Sequence, residues 1–232
     1  MIDVYSWPTS NGHKVHILLE ELGCDYALIP VNIRAGDQFK PEFIAISPNG
    51  KIPAMVDHDG PGRAPISIFE SGAILMYLAE KSGRFMPEPR RERYGVIQWL
   101  MFQMGSVGPM LGQALHFNNY TREPVPYGIA RYTREAERIY RVLDDRLAQS
   151  EYLAGGDYTI ADISVFPWVT FYKRFGVDPE HLSHFMRWLA AVKARPAVRR
   201  GLEALKEHRL RPEQLDDKAK QLLFGNAPRS AA

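Results

Sequence analysis

The stretch Ser47–His58, S-P-N-G-K-I-P-A-M-V-D-H, and its continuation Ile66–Ala73, I-S-I-F-E-S-G-A, decide how this chain is read. Ala54–Val56 and Ile66–Phe69 are short apolar runs parted by a Gly- and Pro-rich turn, the pattern of two strands. The second run leads through Glu70-Ser71-Gly72 into A-I-L-M-Y-L-A-E-K, whose apolar spacing predicts a packed helix. A helix beginning there aims backbone N–H groups and the Ser71 hydroxyl at one spot, which attracts a carboxylate or a phosphate. Glu70, beside it, suits an amine. Carboxylate and ammonium side by side describe an α-amino acid, and Pro53 stands where a second piece of such a ligand's backbone could pair.

Working outward toward the N-terminus, Ile2–Ser6 alternates as a first strand, and Trp7–Gly12 breaks it with Pro, Gly and small polar residues. Lys14–Leu22 predicts a helix ending at Gly23, and Tyr26–Ile33 a second strand. Arg34–Phe39 reads as a loop and Pro41–Ile46 as a short helix that stops before Pro48. The first ~80 residues thus run β-α-β-α-β-β-α, with a parallel first pair and the size of one small domain.

Toward the C-terminus the strand signals vanish. Residues 84–93, rich in Pro, Arg and Glu, read as a linker. Tyr94–Gln113 predicts a long helix bent near Gly105, Gly108 and Pro109. Tyr127–Gln149 keeps helical spacing, and Thr159-Ile-Ala-Asp162 is a reciprocal helix start before the apolar helix Ile163–Tyr172. Two further helices are expected around His181–Ala194 and Ala197–His208. The domains expected are therefore 1–83, a helical one at 94–210, and a poorly ordered tail at 211–232.

The bulk numbers exclude several classes. A chain of 232 residues with 45% hydrophobic and 24% charged residues is an ordinary soluble protein. A net charge of +2 argues against nucleic acid as a partner, and no apolar run suits a membrane. The single cysteine and the lack of a signal-like start fit a reducing compartment, so a cytoplasmic location is expected. The histidines show no metal-ligand spacing, so no metal is expected.

Taken in order, the motifs Y-S-W-P-T-S-N-G-H-K (5–14), G-D-Q-F-K-P-E-F (36–43), I-S-P-N-G-K-I-P-A (46–54) and I-F-E-S-G-A-I (68–74) resemble the glutathione transferase superfamily. The bacterial Nu class is the nearest pattern. Later segments G-P-M-L-G-Q (108–113), H-F-N (116–118) and Y-T-I-A-D-I (158–163) are similar to it as well. The resemblance implies a thioredoxin-like N-terminal domain, an all-helical C-terminal domain and a homodimer. It implies glutathione, reduced or oxidised, as substrate, with Glu70 taking the γ-glutamyl amine and Ser71 the neighbouring carboxylate. Ile52, before a cis Pro53, would pair with the cysteinyl backbone. Gln38 and Lys51 would serve the glycyl end, and Arg131 would contact glutathione from the second domain.

Thr9 and Asn11 match the residues expected to donate to sulfur, with Ser10 a rival because other classes use a serine in this loop. Their physical task is to favour the thiolate, the nucleophilic form. Tyr5 lies within the strand and reads as core. The loop after the first strand lacks the cysteine of glutaredoxin-like relatives, and Cys24 lies beyond the helix. The resemblance therefore implies a disulfide reductase in which bound glutathione thiols carry out the exchange. Conjugation of glutathione to an electrophile, and a non-catalytic binding or regulatory role, remain the alternatives.

Overall fold

The computed structural model describes residues 1–121, 123–209 and 216–225. They form two units, Met1–Ile74 with the described segment from Arg200 onward, and Leu75–Arg199. The N-terminal sheet is thioredoxin-like. Its strands β1 (Ile2–Ser6), β2 (Tyr26–Pro30), β3 (Ala54–Asp57) and β4 (Ile66–Phe69) are ordered β2-β1-β3-β4. β1 pairs parallel with β2, and the β1–β3 and β3–β4 pairs are antiparallel.

The first helix, α1, spans Ser10–Leu22, so it begins four residues before the expected Lys14. The cause is local. Thr9 is extended, and its hydroxyl accepts from the Gly12 N–H at 3.3 Å, capping a turn that composition alone marks as a break. Gly23 ends the helix in the left-handed region at φ 67°, as its position in the sequence predicts. β2 stops at Pro30 and not at Ile33. Asn32 there accepts from the Arg34 N–H at 3.1 Å and starts a turn that the ladder cannot follow. A 3-10 turn at Asp37–Phe39 and a short helix, α2 (Pro41–Ile44), lead to β3, and α3 (Ser71–Ser82) follows β4.

The second unit is helical. α4 (Arg90–Phe102) starts inside the stretch read as a linker, with Pro89 at its N-cap. A π-helical turn at Gln103–Val107 separates it from α5 (Gly108–Asn119), which is the physical form of the expected bend around Gly105. α6 (Pro126–Leu147) and α7 (Ile160–Val169) follow.

At the start of α7, Asp162 is fully buried. It accepts from Leu153 N (3.0 Å), Thr159 N (3.0 Å) and Trp188 Nε1 (2.8 Å). The predicted reciprocal helix start is present. Burial pushes this carboxyl up to about 6 against the pull of those donors. α8 (Ser183–Ala194) supplies Phe185 and Trp188 to the same core, and α9 is Pro196–Glu203.

The segment from Arg200 onward belongs to the first unit. Arg200 Nε meets Glu20 Oε2 at 2.6 Å, and the His208 ring stacks on Trp7 with centroids 4.8 Å apart. A Cβ on Gly201 would come within 2.7 Å of the Ile17 backbone, so only glycine permits this approach. The expected disordered tail is corrected in part, because Asp217–Phe224 is a helix, α10. Asp216 caps it by accepting from Ala219 N at 2.7 Å. Residues 211–215 and 226–232 lie outside the described residues.

Candidate functional site

The register brings three separated stretches to one edge of the sheet. Tyr5 lies opposite Ala54 and Ala54 opposite Phe69. One residue further along each pairing, Ser6, Pro53 and Glu70 fall side by side. The loop after β1, the Ile52–Pro53 step and the start of α3 therefore converge.

At the first stretch, Gly12 lets the opening turn of α1 close on β1. A Cβ there would sit 2.2 Å from the Trp7 carbonyl oxygen and 2.6 Å from Ser6 Oγ. Thr9, Ser10 and Asn11 are half-buried around that turn. The Thr9 hydroxyl accepts one bond as cap and so keeps its own proton for another acceptor. Tyr5 packs as expected of a core residue, half-buried with its ring centroid 6.5 Å from that of Phe43.

At the second stretch, the Ile52–Pro53 bond is cis. Ser47 Oγ donates to the Lys51 carbonyl at 2.9 Å and braces the turn before it. Pro53 is buried, Ile52 half-buried and Lys51 exposed. Gln38, on the 3-10 turn, is buried; its Nε2 donates to the Ile33 carbonyl at 3.2 Å, and its Oε1 has no hydrogen-bond partner among the described residues.

At the third stretch, Glu70 holds φ 70°, a left-handed conformation that non-glycine residues adopt with cost, and its side chain is exposed. That backbone turn delivers Ser71, buried, as the first residue of α3.

One member of this group was invisible to pattern reading. Lys14 is 1% exposed, and its Nζ donates to Ser71 Oγ at 3.1 Å. Burial pushes its ammonium down to about 7, with the Glu70 carboxylate pulling the other way. The available signal was a lysine set among the apolar residues of α1, where Gly12–Leu19 are all buried.

His13 and His16, on the same helix, are packing residues. His16 Nε2 lies 2.9 Å from Ser6 Oγ, and burial lowers the pair to about 4 and about 3. Cys24 sits past the far end of α1, which at 1.5 Å per residue is about 20 Å long. Arg131 belongs to the second unit, exposed on α6, with its guanidinium carbon 6.0 Å from the Tyr132 ring centroid.

Chemically, this edge offers a helix N-terminus, a hydroxyl and a buried ammonium to a carboxylate, and an exposed carboxylate to an amine. Residues 1–80 match the family description Glutathione S-transferase, N-terminal domain, and residues 126–200 match Glutathione S-transferase, C-terminal domain. The chain belongs to the glutathione S-transferase family.

Among its relatives, the disulfide-bond oxidoreductase YfcG of Escherichia coli (strain K12) is 49% identical over 203 residues, 87% of this chain and 94% of the relative. A crystal structure of a glutathione transferase family member from Pseudomonas fluorescens pf-5, with two glutathione bound, is 47% identical. It superposes with a TM-score of 0.83 over 87% of this chain and 92% of that one. A glutathione transferase from Pseudomonas putida, with one glutathione disulfide bound per subunit, is 42% identical with a TM-score of 0.83, covering 87% and 90%. In this glutathione transferase, no group of three or more His, Cys, Asp or Glu among the described residues could hold a metal ion. No described helix is long and apolar enough to cross a membrane.

Proposed function

We propose that the protein is a glutathione-dependent disulfide-bond reductase of the Nu class, working as a cytoplasmic homodimer and using glutathione thiolate in place of a protein cysteine. The observation that carries this reading is the position of Cys24. It stands past the C-terminal end of α1, while the N-terminal turn of that helix presents Thr9, Ser10 and Asn11. The names of the relatives and the glutathione bound in their structures support the same substrate.

In this reading Glu70 takes the γ-glutamyl ammonium, and Ser71 with its N–H takes the carboxylate. Ile52 pairs with the cysteinyl backbone, Gln38 and Lys51 serve the glycyl end, and Arg131 contacts glutathione. Asn11 and Thr9 donate to sulfur and favour its charged form. The bound thiolate attacks one sulfur of a small disulfide; the S–S bond breaks, and the departing thiolate takes up a proton. A second glutathione thiolate attacks the glutathione sulfur of the mixed disulfide. It releases the second thiol and leaves oxidised glutathione. Holding both glutathiones in one site supplies the proximity that such exchange needs.

The test is to assay purified protein and its Cys24→Ser variant with a small aliphatic disulfide and with an aromatic halide. Disulfide turnover that survives the substitution within about twofold is expected, because Cys24 takes no part in this reading. Activity on the halide alone overturns the reductase reading in favour of conjugation. A large loss in Cys24→Ser overturns the thiol-free mechanism.

A further inference from the structure

Helix α10 lies beyond both family matches, which end at residues 80 and 200, and none of the proposed glutathione contacts comes from it. Its eight residues are too few for a helix to hold in water by itself. The Asp216 cap contributes, and burial supplies the rest, with Ala219 only 4% exposed. Its docking partner is the turn that carries Gln38.

Leu222 lies over Gly36, the residue that opens the 3-10 turn Asp37–Phe39. A Cβ built on Gly36 would stand 3.7 and 4.0 Å from the two Leu222 methyl carbons and 3.8 Å from Phe39 Cδ2. The other edge of the Phe39 ring faces Gly50. A Cβ there would meet Phe39 Cδ1 at 3.7 Å and the Gln38 carbonyl oxygen at 3.4 Å. Gly50 directly precedes Lys51 and Ile52, and its N–H donates to the Ser47 carbonyl at 2.8 Å. The Gln38 turn thus stands between α10 and the Gly50–Pro53 step, linked to both by packed atoms. Close-packed groups of this kind transmit a displacement to their neighbours.

We propose that Leu222 is a positioning residue of the glutathione site. By docking α10 on Gly36 it holds the turn that carries Gln38 and, through Phe39, the backbone at Gly50 and Lys51. It thereby sets the affinity for the glycyl end of the ligand. The inference rests on the glutathione reading, in which Gln38 and Lys51 serve that end. By linkage the effect runs both ways, so a ligand that engages the turn also stabilises docked α10. γ-Glutamylcysteine, which lacks only the glycine, separates this role from a general loss of stability.

The test is calorimetry of glutathione and γ-glutamylcysteine on wild type and on Leu222→Gln, which removes the apolar contact without adding charge. Glutathione should bind the variant roughly five- to tenfold more weakly, the low end of coupling between linked sites. γ-Glutamylcysteine should bind both proteins alike. Equal losses for both ligands, a larger loss for γ-glutamylcysteine, or no loss for either overturn the inference.

If Leu222→Gln does not fold, amide exchange in wild type decides. Saturating glutathione should slow exchange across Asp217–Phe224 several-fold, because local opening of α10 becomes rarer, and γ-glutamylcysteine should leave it unchanged. Equal slowing by both ligands, or none by either, overturns the inference. Failure of wild type to bind glutathione at all overturns the glutathione reading itself.

Discussion

Asn11 occupies the opening turn of α1, beside the cap residue Thr9 and half-buried at the sheet edge. A donor aimed at sulfur interacts more strongly as charge develops there. Asn11→Ala should therefore lower kcat by about ten- to a hundredfold with little change in KM, since the lost interaction belongs to the reacting state. Steady-state kinetics with a small disulfide measure this, and a rise in KM at constant kcat would make Asn11 a ground-state contact. At this scale the sequence was most legible at Pro53, whose bond to Ile52 is cis as the resemblance implies. It was least legible at Lys14. Its ammonium bonds to a residue 57 positions away, and no local pattern carries that information.

At the scale of elements, hydrophobic period and capping chemistry located β1, β3, β4 and the core of each main helix. Errors fell where a side chain overrides composition. Trp7–Gly12 has the makeup of a loop, yet the Thr9 cap extends α1 into it. The same physics explains α10, whose cap is an aspartate inside a polar stretch.

Asp162 is the counterpart in the second unit. Its carboxylate joins the start of α7, the backbone at Leu153 and the indole of Trp188. Asp162→Ala leaves buried N–H donors without their acceptor, and stability should drop by about 2–4 kcal/mol. A lowered urea midpoint measures it; an unchanged midpoint would mean that water fully replaces the carboxylate.

For the molecule as a whole, buried histidines set the response to acid. His13 and His16 titrate at about 4 and about 3 in the fold, against 6.5 ordinarily. The unfolded chain thus binds protons that the folded one refuses, and stability is lost as pH falls from about 6.5 toward 4. Asp162 has the opposite sign. Its folded value of about 6 lies above 3.8, so its contribution is present in acid and fades as pH rises through about 6. Two groups outweigh one, leaving a net loss on the order of 2 kcal/mol between pH 7 and 5. Thermal melts across that range should show Tm falling with acidity, and His16→Gln should flatten the slope.

The return of the chain to its first unit bears on how this protein can be divided. The family match over residues 1–80 invites a cut there, as though the glutathione-binding half were a detachable part. Such a cut removes the residues that lie over Ile17, stack on Trp7 and pair with Glu20, all supplied from Arg200 onward. The N-terminal half is thus complete only once the segment from Arg200 onward has been made. During synthesis, some 120 residues of helical domain emerge before the thioredoxin-like unit receives its last piece. A domain boundary drawn along the sequence and one drawn through the folded protein are different lines.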